Sequence, residues 1–254
     1  MSKVLVERRG QVTVVTINRP ERRNAVDAET AELLRGAFLA FDGDEQAQVA
    51  VLTGANGTFC SGYDLRSVAE APPPYDADGP GPMGPTRALL GKPVIAAVEG
   101  HAVAGGLELA LWCDLRVASA SAEFGVFCRR WGVPLIDGGT VRLPRIVGQG
   151  RALDMILTGR PVAAEEAKAI GLVDRLAGRG QALEQAVTLA EAIASFPQIC
   201  MRADRLSAYR QWDVDLPAAL RAEAMGGEVP LALEGIEGAG RFSAGAGRSG
   251  LLDS

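Results

Sequence analysis

Lys92 to Ser119 reads KPVIAAVEGHAVAGGLELALWCDLRVAS, and this stretch decides the fold. Val94-Ile95-Ala96-Ala97-Val98 is an apolar run of strand length bounded by Pro93 and Gly100, as a strand buried on both faces requires. Leu107 to Leu115 is apolar apart from Glu108 and Asp114, which predicts a helix packed inside the protein. Between them, Ala102-Val103-Ala104-Gly105-Gly106 lacks bulk, so backbone and ligand can approach closely. A strand feeding a glycine turn that opens a helix aims N–H groups, and the positive helix end, at one point. A phosphate, a carboxylate or a carbonyl oxygen gaining negative charge suits that point. Glu108, three residues after Gly105, falls in the first helical turn and sets a carboxyl group beside those donors. A capping residue is equally at home there, so these residues alone leave a catalytic and a structural role open.

Upstream, Val4–Glu7 and Val12–Asn18 are β-branched and separated by Arg9-Gly10, which predicts a hairpin. A basic loop with Pro20 follows, then Asp27 heads a helical pattern through Ala40, and Val49–Thr53 reads as a buried strand. Phe59-Cys60-Ser61-Gly62-Tyr63-Asp64-Leu65 is a second glycine-containing loop after a strand. Ala71 to Pro85 holds Pro72-Pro73-Pro74 and GPGPMGP, a composition that predicts a mobile surface segment. Its Gly79, Gly81 and Gly84 match GxGxxG in form only, because Pro80 and Pro82 lack N–H groups and no strand precedes them.

Downstream, Arg129 to Thr140 is a long glycine-rich loop in mid-chain, and such loops tend to carry function. Arg142 to Arg145 reads as a loop, Gly148 to Leu157 and Ala163 to Ala169 as helices, and Gly171-Leu172-Val173 as strand-like. Gln181 to Ala194 is amphipathic, with Ala182, Leu183, Ala186, Leu189, Ala190 and Ile193 on one side, an apolar side that with the helical tail suggests a face for assembly. Phe196 to Ser254 shows no strand signal and reads as a helical appendage with a glycine-rich tail. The division expected is a core over 1–193 and a helical region over 194–254.

A chain of 254 residues with 48% hydrophobic content can bury a large core. A net charge of −5 argues against a general affinity for nucleic acid. No apolar run reaches the length of a membrane span, and Lys3, Glu7, Arg8 and Arg9 stand where a signal peptide would be apolar. Cys60, Cys113, Cys128 and Cys200 form no CxxC pair, and with one histidine, His101, they make no persuasive metal site. The expectation is a cytoplasmic protein with reduced thiols, no metal, no membrane and no nucleic-acid partner.

Four segments in order carry a resemblance: FCSGYDL, the Lys92–Ser119 stretch, FGVFCRRWGVPLIDGGTVRLPRIVG and LTGRPVAAEEAKAIGLVDRL. With Asn18-Arg19-Pro20 and Asn24-Ala25 at one end and Leu233-Glu234-Gly235 at the other, the chain resembles the crotonase superfamily of enoyl-CoA hydratases and isomerases nearly throughout. The resemblance implies an α/β fold, a crotonase-like spiral of repeated ββα units with a C-terminal helical region that packs trimers or dimers of trimers. It implies an acyl-CoA thioester as substrate and no cofactor beyond that coenzyme A. It gives the backbone N–H groups of Tyr63 and Gly105 the role of an oxyanion hole for the thioester carbonyl. It assigns Arg22, Arg23, Ser61, Asp64, Leu65 and Arg66 to the CoA moiety.

Hydratases of this family use two glutamates around one water. Glu108 falls on the first position, and a gapless alignment puts Cys128, in the substrate pocket, on the second. A thiol titrates about four units above a carboxyl group, so Cys128 cannot simply replace it. Asp137, farther along the same loop, is the candidate for the missing carboxylate; an ordinary Asp-Gly turn is the other reading. Three functions follow: a hydratase-like lyase using Glu108 and Asp137, a double-bond isomerase using Glu108 alone, or an acyl-CoA-binding protein without chemistry.

Overall fold

A computed structural model of the chain describes residues 2–70 and 76–246, and the chain separates into two compact units, Met1–Ala194 and Ser195–Ser254. The first unit is built on a six-stranded sheet in the order β1 (Val4–Arg9), β2 (Val12–Ile17), β3 (Val49–Gly54), β4 (Val94–Val98), β6 (Leu115–Ser119) and β9 (Arg175–Ala177). The β1–β2 hairpin is antiparallel and every other pairing in this sheet is parallel. A smaller sheet holds β5 (His101–Val103), β7 (Glu123–Gly125) and β8 (Val162–Ala163), and Cys60 bridges to Ala102 at its edge. Each turn of the chain therefore visits the large sheet, then the small one, then a helix: β3, the Cys60 bridge and α2 (Leu65–Glu70); β4, β5 and α3 (Gly105–Trp112); β6, β7 and α4 (Gly139–Val147).

The strand patterns explain the layers. Val15, Ile17, Leu52, Ala96 and Val98 face one way and join Leu34 and Phe38 of α1 (Ala28–Gly43) and the buried helix α3 in the main core. Val14, Val49, Val51, Ile95 and Ala97 alternate to the other face, where α7 (Ala182–Ala194) covers them. Burial on both faces is what makes the parallel strands read as continuous apolar runs. Asp27 starts α1 by accepting the Thr30 N–H at 2.9 Å. The remaining helices of this unit are α5 (Gln149–Thr158) and α6 (Ala164–Ala169).

Five expectations need correction. The apolar side of Gln181 to Ala194 is buried against this unit's own sheet, so it is not a face left over for assembly. The helix after Gly105 stops at Trp112 and Leu115 opens β6, because Asp114 turns back to accept the Val94 N–H at 2.7 Å. Arg142 to Arg145 is helix, not loop; Pro144 is tolerated as the sixth residue of α4. The last strand is Arg175–Ala177 rather than Gly171–Val173. Finally, residues 71–75 of the proline-rich segment lie outside the described residues, but Gly81, Met83, Gly84 and Pro85 are buried, not mobile surface.

The second unit comprises α8 (Gln198–Arg210), α9 (Leu216–Gly226), α10 (Glu228–Pro230), a π-helical turn over Leu231–Gly235 and α11 (Ile236–Ser243). Both Glu234 oxygens accept N–H groups from the start of α8, Ile199 at 3.1 Å and Cys200 at 2.8 Å. Among its described residues only Pro230 is buried, while Trp212, Leu216, Leu220, Leu231 and Ile236 are exposed. No described helix is long and apolar enough to cross a membrane.

Candidate active site

Cys60 and β5 exchange backbone hydrogen bonds, Cys60 N–H to His101 O at 2.9 Å and Val103 N–H to Cys60 O at 3.1 Å, so the FCSGYDL loop lies along the strand leading to α3. Gly62 sits where the two meet, at φ +102°; a Cβ there would stand 2.9 Å from Ala104 Cβ and 3.0 Å from Gly105 N. Only glycine allows that approach. Gly106 meets the Cys60 carbonyl in the same way, which is why both turns read as small and glycine-rich. Ala104 occupies φ 54°, ψ −126°, a conformation that costs a residue with a Cβ roughly 1–3 kcal/mol. Its N–H is held by Gly125 O at 2.9 Å and its carbonyl by the Glu108 N–H at 3.2 Å. The strain turns the chain sharply into α3, whose eight residues are all buried.

Tyr63 and Gly105 both line one cavity of about 560 Å³, and neither backbone N–H donates to an acceptor among the described residues. Glu108, 2% exposed, lines the same cavity. Its Oε1 accepts two backbone N–H groups, Asp137 at 2.9 Å and Gly139 at 2.9 Å, while Oε2 makes no hydrogen bond among the described residues. Burial, and then the nearby charge of Asp137, push the Glu108 carboxyl up to about 7 despite those two donors.

Asp137 is also 2% exposed and reaches the cavity. Its Oδ1 accepts the Met83 N–H at 3.0 Å and the Thr86 hydroxyl, and Oδ2 has no partner among the described residues. Burial raises this carboxyl above its usual range, against the pull of Thr86, Met83 and two arginines. Two buried carboxyl groups, each with one oxygen tied and one unpaired, thus share a cavity with two unpaired N–H donors. Such a set can polarise a carbonyl and move protons on either side of it.

Cys128 also lines the cavity, and its thiol is raised by burial and then by the charge of Glu108. That excludes a readily formed thiolate. Val68, Pro82, Met83, Phe127, Val133 and Ile136 make the remaining wall largely apolar, with Arg130, Trp131 and His101 also at its lining. The His101 side chain is half exposed and stands 3.7 Å from Glu123.

Arg22, Arg23, Ser61, Asp64, Leu65 and Arg66 line a second groove of about 350 Å³, which shares Arg23, Ser61, Tyr63 and Leu65 with the first. Asp64 differs from the others there: its carboxylate pairs with Arg19 at 3.1 Å and accepts the Arg66 N–H at 3.2 Å. Sequence reasoning missed Met83, from the segment read as mobile, and Thr86, which directly follows that segment. The signal was present in Gly81 and Gly84: a Cβ on the first would strike Asp137 and Thr86, and on the second the Ala31 carbonyl.

The model of the family described as enoyl-CoA hydratase/isomerase matches residues 7–238. Enoyl-CoA hydratase EchA19 of Mycobacterium tuberculosis is 42% identical over 206 residues, covering 78% of this chain and 77% of that one. The short-chain-enoyl-CoA hydratase of Clostridium acetobutylicum is 34% identical over 233 residues, covering 89% of each. The crystal structure of enoyl-CoA hydratase EchA1 from Mycobacterium marinum superposes with a TM-score of 0.90 at 35% identity, covering 95% of this chain and 96% of that one. An α/β spiral, a two-carboxyl cavity beside two free donors, and a match over nearly the whole chain lead to one assignment: the protein belongs to the enoyl-CoA hydratase/isomerase family.

Proposed function

We propose that this protein is an enoyl-CoA hydratase-like lyase that works through an oxyanion-stabilised enolate. The thioester carbonyl oxygen accepts the N–H groups of Tyr63 and Gly105, and each such donor is worth on the order of 3 kcal/mol of barrier. Ionised Glu108 takes a proton from water through Oε2, and the hydroxide adds to the β-carbon of the enoyl group. The Asp137 carboxyl, whose neutral form burial favours, takes up a proton from solvent and delivers it to the α-carbon as the enolate collapses. Water is thus added across the double bond, and the two carboxyl groups return to their starting states by exchange with solvent. The observation that carries this reading is the pair of buried carboxyl groups, each with one unpaired oxygen, on the cavity that Tyr63 and Gly105 line. A Glu108 carboxyl near 7 is half ionised at neutral pH, as general base catalysis requires.

Arg22, Arg23 and Arg66 supply positive charge for the phosphates of the CoA moiety in the adjoining groove. The reaction so drawn needs no group beyond the CoA carried by the substrate. The exposed apolar side chains of the second unit support assembly with further copies, for which the family resemblance implies a trimer or a dimer of trimers, and the free cysteines suit the cytoplasm. An isomerase is the second reading: there Glu108 alone carries the proton, and Asp137, held through Oδ1 by Met83 and Thr86, frames the turn that donates to Glu108. A panel of enoyl-CoA thioesters, incubated in heavy-oxygen water and analysed by mass spectrometry, separates the readings. Label in the product means hydration, an unlabelled isomer means proton transfer, and tight binding without product means an acyl-CoA-binding protein.

A further inference from the structure

We propose that Arg142 is a positioning residue: with Thr86 it closes a ring of hydrogen bonds that fixes Asp137 beside Glu108. The proposal rests on the reading of Asp137 as a proton carrier. Arg142 Nη1 donates to the Asp137 carbonyl at 2.9 Å, and Nη2 donates to the Thr86 carbonyl at 2.7 Å. The Thr86 hydroxyl then donates to Asp137 Oδ1, which completes the ring. Thr86 and Asp137 lie 51 residues apart in sequence, so the ring ties two separate segments at the site. Arg142 is itself anchored to the same turn, its backbone N–H bonded to Gly138 O at 2.8 Å. Gly138, at φ +93°, makes room, since a Cβ there would collide with the Arg142 guanidinium.

The ring bears on both carboxyl groups. Asp137 and Gly139, on either side of the turn that Arg142 braces, donate the two N–H groups held by Glu108 Oε1. The Met83 N–H reaches the same Asp137 oxygen as Thr86, so the ring also seats the cavity wall at Met83. A planar guanidinium spans two carbonyls at a fixed angle; a lysine ammonium carries the charge but not the fork.

The test measures kcat, KM, pH profile and melting temperature for Arg142→Lys, Arg142→Gln, Thr86→Val and Asp137→Asn, with crotonyl-CoA as probe. Arg142→Gln and Thr86→Val are expected to lower kcat about ten- to a hundredfold with KM within about threefold, as a small misplacement of a proton carrier does. Arg142→Lys is expected to lose kcat while the Glu108 limb of its pH profile stays with the parent's, because charge is kept and geometry is not. Folded Arg142→Gln or Thr86→Val with parental kcat overturns the proposal, as does full activity in Arg142→Lys. If Arg142→Gln does not fold, Thr86→Val, which removes one hydroxyl, decides alone. If Asp137→Asn lowers kcat and the ring variants do not, the ring is overturned and the role of Asp137 stands; if Asp137→Asn keeps parental kcat, both fall. A readout that needs no turnover is the carbon-13 titration of the Asp137 carboxyl in the free protein. Its midpoint moves upward in Thr86→Val and in the charge-keeping Arg142→Lys if the ring holds, and stays in place in both if it does not.

Discussion

The Asp137 backbone N–H donates to Glu108 Oε1 at 2.9 Å, so the residue that supplies one carboxyl group also holds the other in place. The two are 29 residues apart in the chain and come from different elements, the first turn of α3 and the loop before α4. Glu108 therefore has a fixed oxygen and an unpaired one, and the unpaired one is the reactive atom.

Glu108→Gln keeps the shape and the two backbone contacts but cannot exchange a proton at neutral pH. Turnover is expected to fall about a hundred- to ten-thousandfold, with CoA-thioester affinity kept. Steady-state kinetics with calorimetric binding of a saturated acyl-CoA checks this; parental turnover would move the chemistry to another residue.

The Glu108 carboxyl is raised from an ordinary 4.5 to about 7 in the folded chain. The folded state binds the proton more tightly than the unfolded state, so this group's stabilisation is present below about 4.5 and is lost as pH rises through about 7. Unfolding free energies from urea melts between pH 4.5 and 7.5 should show a fall on the order of 3 kcal/mol that Glu108→Gln removes. In the hydratase reading, activity rises across the upper part of the same window, since the base must be ionised.

Gly62→Ala places a methyl group 2.9 Å from Ala104 Cβ and 3.0 Å from Gly105 N, at a φ that disfavours any side chain. The Tyr63 and Gly105 donors are expected to move apart, with kcat falling about a hundred- to a thousandfold, the range for losing one oxyanion donor. Unchanged kcat in a folded variant would separate these donors from the chemistry.

Ala104→Gly relieves the strain at φ 54° and is expected to stabilise the protein by about 1 kcal/mol after the added freedom of the unfolded chain is offset. Scanning calorimetry should record a melting temperature about 2–4 °C higher.

Cys128→Glu adds a carboxyl group to the cavity lining, near enough to Glu108 that the charge of Glu108 already raises the thiol. Arg129 and Arg130 donate to the Ile156 carbonyl at 3.1 Å and the Gly159 carbonyl at 3.2 Å, so both guanidinium groups are engaged elsewhere. Hydration of short enoyl-CoA substrates is expected to increase, and the Glu108 limb of the pH profile to move upward because like charges oppose ionisation. Heavy-oxygen incorporation and the pH–rate profile measure the two effects.

The sequence by itself determined the central parallel strands, the glycine turn before α3 and the first carboxyl group. Val94–Val98 reads as a buried strand, Gly105-Gly106 marks close backbone approach, and Glu108 falls in the first turn of the helix that follows. These are local properties, written in alternation, bulk and glycine spacing over a few residues. Only the tertiary structure decided that the proline-rich segment ends inside the site, that Arg142 joins Asp137 to Thr86, and that Asp137 is buried against Glu108. Composition marks Gly81 to Pro85 as loop, and a loop's burial depends on what the rest of the chain packs around it. The raised Glu108 carboxyl has the same origin: desolvation and the charge of Asp137 act through space, between residues whose separation in the chain carries no record of their distance.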